Sequence, residues 1–170
     1  METIATGRLQ LRPFEFGDAP FILRLLNEPS FIENIADKGV RTLADAEDYL
    51  RTGPMDSYHR HGHGLMAVVL PETGQPIGMC GLLKRDYLEH VDLGYAFLPE
   101  FWAHGFAREA AEGVLSHGQR SLSLAHVLAL VAPSNEPSIR LLEKLGFSFS
   151  KLLRREGDAS ATALYERFQP

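Results

Sequence analysis

Leu98-Pro99-Glu100-Phe101-Trp102-Ala103-His104-Gly105-Phe106-Ala107-Arg108-Glu109-Ala110 is the stretch whose periodicity decides the fold. Before Pro99 the pattern has the two-residue period of a strand. After it, Ala107, Ala110, Ala111, Val114, Leu115 and Leu122 trace a helical face. A strand therefore ends near Pro99 and a helix begins between Gly105 and Ala107. The small residues at 105 and 107 let backbone come close to a ligand. A first helical turn leaves about four N–H groups unpaired, and the helix dipole adds roughly half a positive charge there. Such a corner suits an anion, a pyrophosphate above all; the competing reading is an ordinary loop with a conformational glycine. No Gly-Lys-Ser/Thr follows, which excludes a Walker-type site, and the three-glycine dinucleotide fingerprint is missing.

Working outward, the nearly continuous apolar run His126 to Val131 is expected to be a strand buried on both faces. Asn135 to Leu145 then reads as a short helix closed by Gly146, with Asn135 as its cap and Pro137 in its first turn. Strands near Phe147–Leu153 and Ala161–Phe168 finish the chain. Upstream, Leu65–Leu70, Ile77–Leu83 and Val91–Leu98 form an antiparallel meander, its first turn being Pro71-Glu72-Thr73-Gly74. Arg8 to Arg12 alternates as a first strand. A helix capped by Asp18 carries Ile22, Leu25 and Leu26, and a second begins near Thr42 with Leu43, Ala46 and Leu50 on one face. No linker or repeat interrupts this order. The expectation is a single α/β domain over residues 1–170, with a mixed central sheet of about seven strands and helices on both faces.

Composition narrows the function. Seventeen Lys and Arg against 22 Asp and Glu give a net charge of −5, which disfavours phosphate backbones, so no nucleic-acid partner is expected. No apolar run approaches the ~20 residues of a membrane span, so no membrane partner is expected either. The N-terminus lacks a basic flank before an apolar stretch, and a cytoplasmic location is the expectation. The single cysteine, Cys80, allows no disulfide framework and reads as core. Arg140, Lys144, Lys151, Arg154 and Arg155 form a basic segment with Glu143 the one acid among them; it is a solvated face or a neighbour of an anionic ligand. His59, His61 and His63 lie on a Gly-containing turn with no helpfully spaced carboxylate, and no metal site is expected.

Three further stretches complete a pattern: Asp92-Leu93-Gly94-Tyr95, Phe101-Trp102 to Glu109-Ala110, and the Asn135 to Phe147 helix with Ser138 three residues after Asn135. With Arg8-Leu9-Gln10-Leu11-Arg12-Pro13, their order and spacing resemble the GNAT superfamily of acyl-CoA N-acyltransferases, in its ribosomal-protein-alanine acetyltransferase-like branch. The resemblance implies a splayed central strand pair that receives acetyl-CoA. It further implies that backbone at Phe97 and Leu98 pairs with the pantetheine arm. The amides of His104, Gly105, Phe106, Ala107 and Arg108 would hold the pyrophosphate and Asn135 would bond the pantetheine, with Arg140 or Lys144 near the nucleotide phosphates. The chain departs from the branch at Trp102, Ala103 and His104, where Gln or Arg, Gly and a basic residue are usual, so weakened cofactor binding is expected.

Acetyl transfer to an amine needs a neutral nucleophile, a polarised carbonyl and a proton for the thiolate. Asp92 is the candidate base or water-positioner, with Glu89 and His90 as rivals, and a purely structural pairing of Asp92 as the alternative. Ser138 is the candidate acid. Phe31, Tyr58 and the three histidines are candidate acceptor contacts. The expected activity is direct acetyl transfer to a primary amine, small or peptide, by a monomer or homodimer. The alternatives are a non-catalytic acyl-CoA sensor and an interaction domain on the same scaffold.

Overall fold

A computed structural model describes all 170 residues, Met1–Pro170. Its frame is one eight-stranded sheet in the order β1-β2-β3-β4-β5-β6-β8-β7. The strands are β1 (Ile4–Ala5), β2 (Gln10–Arg12), β3 (Leu65–Leu70), β4 (Gln75–Leu83), β5 (Asp92–Phe97), β6 (His126–Val131), β7 (Ser148–Leu153) and β8 (Thr162–Phe168). The eighth strand is β1, a two-residue edge piece paired with β2 and too short for alternation to reveal. Arg8, read from the sequence as strand, lies outside β2.

The meander β3-β4-β5 is antiparallel. The β5–β6 contact is parallel and is bridged by α5 (Phe106–Ser121), the crossover that the change of period at Pro99 announces. On one face, α5 and α6 (Glu136–Lys144) pack on the sheet through Ala110, Ala111, Val114, Leu115 and Leu142, against Leu93 and Phe97. On the other face lie α1 (Ala19–Leu26), α2 (Pro29–Asn34) and α3 (Leu43–Leu50), burying Ile22, Leu25, Leu26, Phe31, Ala46 and Leu50 against Ala67, Val69 and Met79. Burial of an aliphatic side chain of this size stabilises by about 1.5–3 kcal/mol, so the two faces hold the sheet as a three-layer sandwich.

One local expectation fails. The helix that starts at Thr42, whose hydroxyl accepts from the Asp45 amide as read, continues past Gly53-Pro54 into the histidine segment. It runs on through a wider π turn at Arg51–Met55 into α4 (Asp56–His61), ending at Gly62 with φ +75°. His59 and His61 thus sit in the last turn of a helix and not on a turn. Burial of Pro54 outweighs the local breaker signal, because the wide turn absorbs the missing N–H.

Candidate active site

The sheet is pinched at its middle. β4 and β5 match over six residue pairs and β6 and β8 over another six, whereas β5 and β6 match at one, Asp92 with Leu128. There the Leu128 amide donates to Val91 O at 2.9 Å; beyond it the strands part. Peptide groups on an antiparallel strand alternate in direction. The Leu98 amide donates into the sheet, to Ile77 O at 3.0 Å, so the amides of Tyr95 and Phe97 turn to the open seam. This corrects one expectation: Leu98 has no amide to offer a ligand, and Phe97 does. The Phe97 carbonyl accepts from the Trp102 indole Nε1 at 2.9 Å, a bond that closes the loop onto the end of β5.

At the wide end of the seam stands the start of α5. Ala103 and Gly105 both have positive φ, +62° and +79°, which turns successive amides toward one side. The first intrahelical bond runs from the Glu109 amide to Gly105 O at 3.1 Å. The amides from His104 to Arg108 therefore have no acceptor within the protein. Arg8 braces the corner. Its Nε and its backbone amide donate to the two oxygens of Glu109, each at 2.8 Å; Nη1 donates to His104 O at 2.9 Å; and the guanidinium lies 4.5 Å above the Phe106 ring. Burial draws the Glu109 carboxyl upward, but hydrogen bonds from Thr6 and Arg8 outweigh it and hold the pKa below the ordinary value. The sequence gives no sign of Arg8 in this role, because the contact spans some hundred residues.

Ala103 carries a side chain in a conformation that suits glycine, at a cost of about 1–2 kcal/mol. Ala103→Gly is expected to raise stability by about 0.5–1 kcal/mol after the greater chain entropy of glycine is set against it. That corresponds to a Tm about 1–4 °C higher in thermal unfolding. An unchanged or lower Tm would mean that the alanine methyl makes contacts worth as much as the strain.

Facing the seam from α6, Ser138 Oγ lies 2.6 Å from the Tyr95 hydroxyl. Burial pushes the Tyr95 pKa up to about 12, against the lowering effect of the Ser138 hydrogen bond, so the phenol stays protonated. Asn135 Oδ1 accepts from the Ser138 amide at 3.4 Å, as capping requires. Its side-chain NH2 is bonded to no protein atom. Arg140 pairs with Glu136 at 3.7 Å on the exposed side of α6. Cys80, opposite Tyr95 on β4, is buried, and burial raises its thiol pKa above the ordinary range.

Asp92 points to the other face, since Leu93, Tyr95 and Phe97 take the α5–α6 side. It is 1% exposed and receives Arg85 Nε on Oδ1 at 2.9 Å. Burial raises its pKa, and Arg85 offsets part of that rise. Asp92 and Ser138 thus flank the seam from opposite sides of the sheet. Glu89 and His90, the rival bases, are exposed, and the His90 ring lies 4.2 Å from that of His126, tilted by 40°. Two acceptor candidates have other partners. Phe31 is buried among the α1–α3 helices, and the Tyr58 hydroxyl is spent on Leu65 O and the Phe14 amide. His63 Nδ1 lies 2.8 Å from Leu82 O; His59 and His61 are exposed. No three metal-ligating side chains converge, and no helix is long and apolar enough to cross a membrane.

A family model described as an acetyltransferase (GNAT) domain matches residues 8–148. An uncharacterized N-acetyltransferase, p20, from Bacillus licheniformis is 31% identical over 156 residues, which covers 91% of this chain and 86% of that protein. Among solved structures, an acetyltransferase from Agrobacterium tumefaciens str. C58 superposes with a TM-score of 0.84 at 25% identity, covering 99% of this chain and 95% of that one. A ribosomal L7/L12 alpha-N-protein acetyltransferase in complex with coenzyme A superposes at 0.85, over 98% of both chains; at 14% identity that likeness is one of fold.

Proposed function

The chain belongs to the GNAT acetyltransferase family, and from that premise we propose that it carries an acetyl group from acetyl-CoA directly to a primary amine. The observation that carries this reading is the row of unpaired amides from His104 to Arg108 at the mouth of a seam that leads to Ser138. A pyrophosphate fits those amides, since each donor is otherwise unsatisfied and the helix dipole adds to them. The Asn135 NH2 and the Tyr95 and Phe97 peptide groups fit the amides of a pantetheine arm. With the arm so laid, the thioester comes to the Tyr95–Ser138 pair, and the Tyr95 amide, which faces the same seam, is the donor that polarises its carbonyl.

In the reaction, the acceptor ammonium loses a proton to Asp92, directly or through one water. The freed nitrogen lone pair forms the C–N bond at the thioester carbon. Collapse of the tetrahedral intermediate breaks the C–S bond, and the sulfur leaves with the electron pair. Ser138 Oγ supplies its proton and is resupplied through the Tyr95 hydroxyl, while the second proton lost by nitrogen passes to solvent. No covalent enzyme intermediate is needed, and Cys80, buried and protonated, takes no part.

Ser138→Ala tests the acid. Turnover is expected to fall about 10- to 100-fold, the range of a positioned proton donor. The acetyl-CoA dissociation constant measured by calorimetry should change less than about threefold. Equal loss in binding and turnover would make Ser138 a packing residue. Acetyl-CoA binding with no turnover on any amine, in the parent protein, would favour a sensor over an enzyme.

A further inference from the structure

Arg85 and Asp92 form an ion pair whose cation is partly open to solvent and whose anion lies beneath it. Arg85 approaches end-on through Nε at 2.9 Å, and neither of its Nη groups is paired with a carboxylate. It is 35% exposed, with Asp92 nearly buried beneath it. Asp92 Oδ2 receives no hydrogen bond from another side chain. Lys38, on the loop between α2 and α3, lies within Coulombic reach of Arg85 and has no acidic partner; the adjacent Asp37 is taken by Arg41 at 2.7 Å. Partial desolvation and the charge of Arg85 lower the Lys38 pKa, although the residue as a whole is exposed. Tyr49 of α3 lies within Coulombic reach of the same guanidinium, and Arg155 of the β7–β8 hairpin sits 3.8 Å above the Tyr87 ring. Asp86 and Glu89, on the same connection, are exposed and pair with none of these cations. On the Asp92 face, Leu88, Leu128 and Leu164 form a small apolar wall, extended by Leu130 and Leu153.

Lys38, Arg85 and Asp92 sum to one positive charge. The reactive form of an amine that also bears a carboxylate sums to one negative charge, and so does its N-acetyl product. Resting on the acetyltransferase reading above, we propose that the acceptor is a small amino acid-like molecule whose own carboxylate lies on the Nη groups of Arg85 beside Lys38. Its amine then reaches the nearly buried Asp92 through one water, and its body lies along the leucine wall. An exposed guanidinium fork with a carboxylate just beneath it complements a carboxylate and an amine held a few bonds apart. A polyamine offers only cations, which Lys38 and Arg85 repel.

The experiment uses the whole chain with acetyl-CoA and reads thiol release. The acceptors are a panel of free α-amino acids, their carboxamides, and spermidine. The best amino acid is expected to exceed its carboxamide in kcat/KM by at least about 10-fold and to exceed spermidine by more, the scale of one charge-assisted contact. Lys38→Gln should reduce that ratio at least about threefold. A second readout needs no turnover: the N-acetyl amino acid should bind the CoA-loaded protein more tightly than its carboxamide, and Lys38→Gln should erase much of the difference. Carboxamides or spermidine turned over as well as free amino acids would overturn the inference and leave the acetyltransferase reading intact. Selective binding of the N-acetyl amino acid without turnover of any amine would overturn the acetyltransferase reading alone. Absence of both preferences overturns the inference as well.

Discussion

Gly105→Val is expected to weaken acetyl-CoA binding at least about 100-fold. Two physical effects add. Gly105 has φ +79°, and a β-branched side chain held there costs about 1–3 kcal/mol, which the loop will relieve by changing shape. A Cβ at this position would also stand 3.2 Å from Arg8 Nη2. Arg8 ties the loop to Glu109 and His104, so a shift of even a few tenths of an ångström in its guanidinium loosens the corner that aims the amides. About 2.7 kcal/mol of lost pre-organisation is a 100-fold change. Calorimetric titration with acetyl-CoA gives the number, and Gly105→Ala should fall between the parent and the valine variant. An affinity within threefold of the parent would show that these amides do not hold the cofactor.

Asp92→Asn is expected to lower kcat/KM by about 100-fold or more, with little loss of stability. The carboxamide keeps the shape but cannot take a proton. Arg85, partly exposed, stays solvated when its partner is neutralised, so the usual penalty for stranding a buried charge is moderated. The pH dependence carries a sign. The folded-state pKa of Asp92 is raised by burial above 3.8, so the folded chain holds this proton more tightly than the unfolded one. Its contribution to stability is greatest below 3.8 and is lost as pH rises through the raised folded value. Catalysis runs the opposite way, since the base must be ionised. The parent should show an acid limb in kcat/KM above 3.8 and a decline of Tm over the same window; Asp92→Asn should lack both. A variant with parental activity would return Asp92 to a structural role and give the base to Glu89, His90 or water.

The parts of the fold that local pattern controls were legible. The change of period at Pro99, the Thr42 and Asn135 caps and the three-strand meander all depend on residues a few positions apart, and they stand as read. The chain's membership of the acetyltransferase family was also legible, from the order of its motifs. The two-residue β1 and the helical histidines were not, since one is too short for alternation and the other follows Gly53-Pro54. The side-chain partnerships were the least legible part. Tyr95 with Ser138 joins residues 43 apart, and Arg8 with Glu109 joins residues 101 apart. Nothing in either neighbourhood marks such a pair until the sheet brings them together. Phe31 and Tyr58 show the converse: aromatic residues in the expected wall are taken up by core packing and by backbone hydrogen bonds.

The single match between β5 and β6 has a thermodynamic consequence. A sheet whose two blocks join at Asp92 and Leu128 lacks a rung of hydrogen bonds through its centre. On the proposed reading, the pantetheine arm supplies that rung, so the ligand serves as a transient strand as well as a reagent. Any ligand bound only by the folded state adds RT ln(1 + [L]/Kd) to folding free energy. The cohesion of the two halves of this protein then rises and falls with the acetyl-CoA around it, a dependence that a fully zipped sheet would not have through this route.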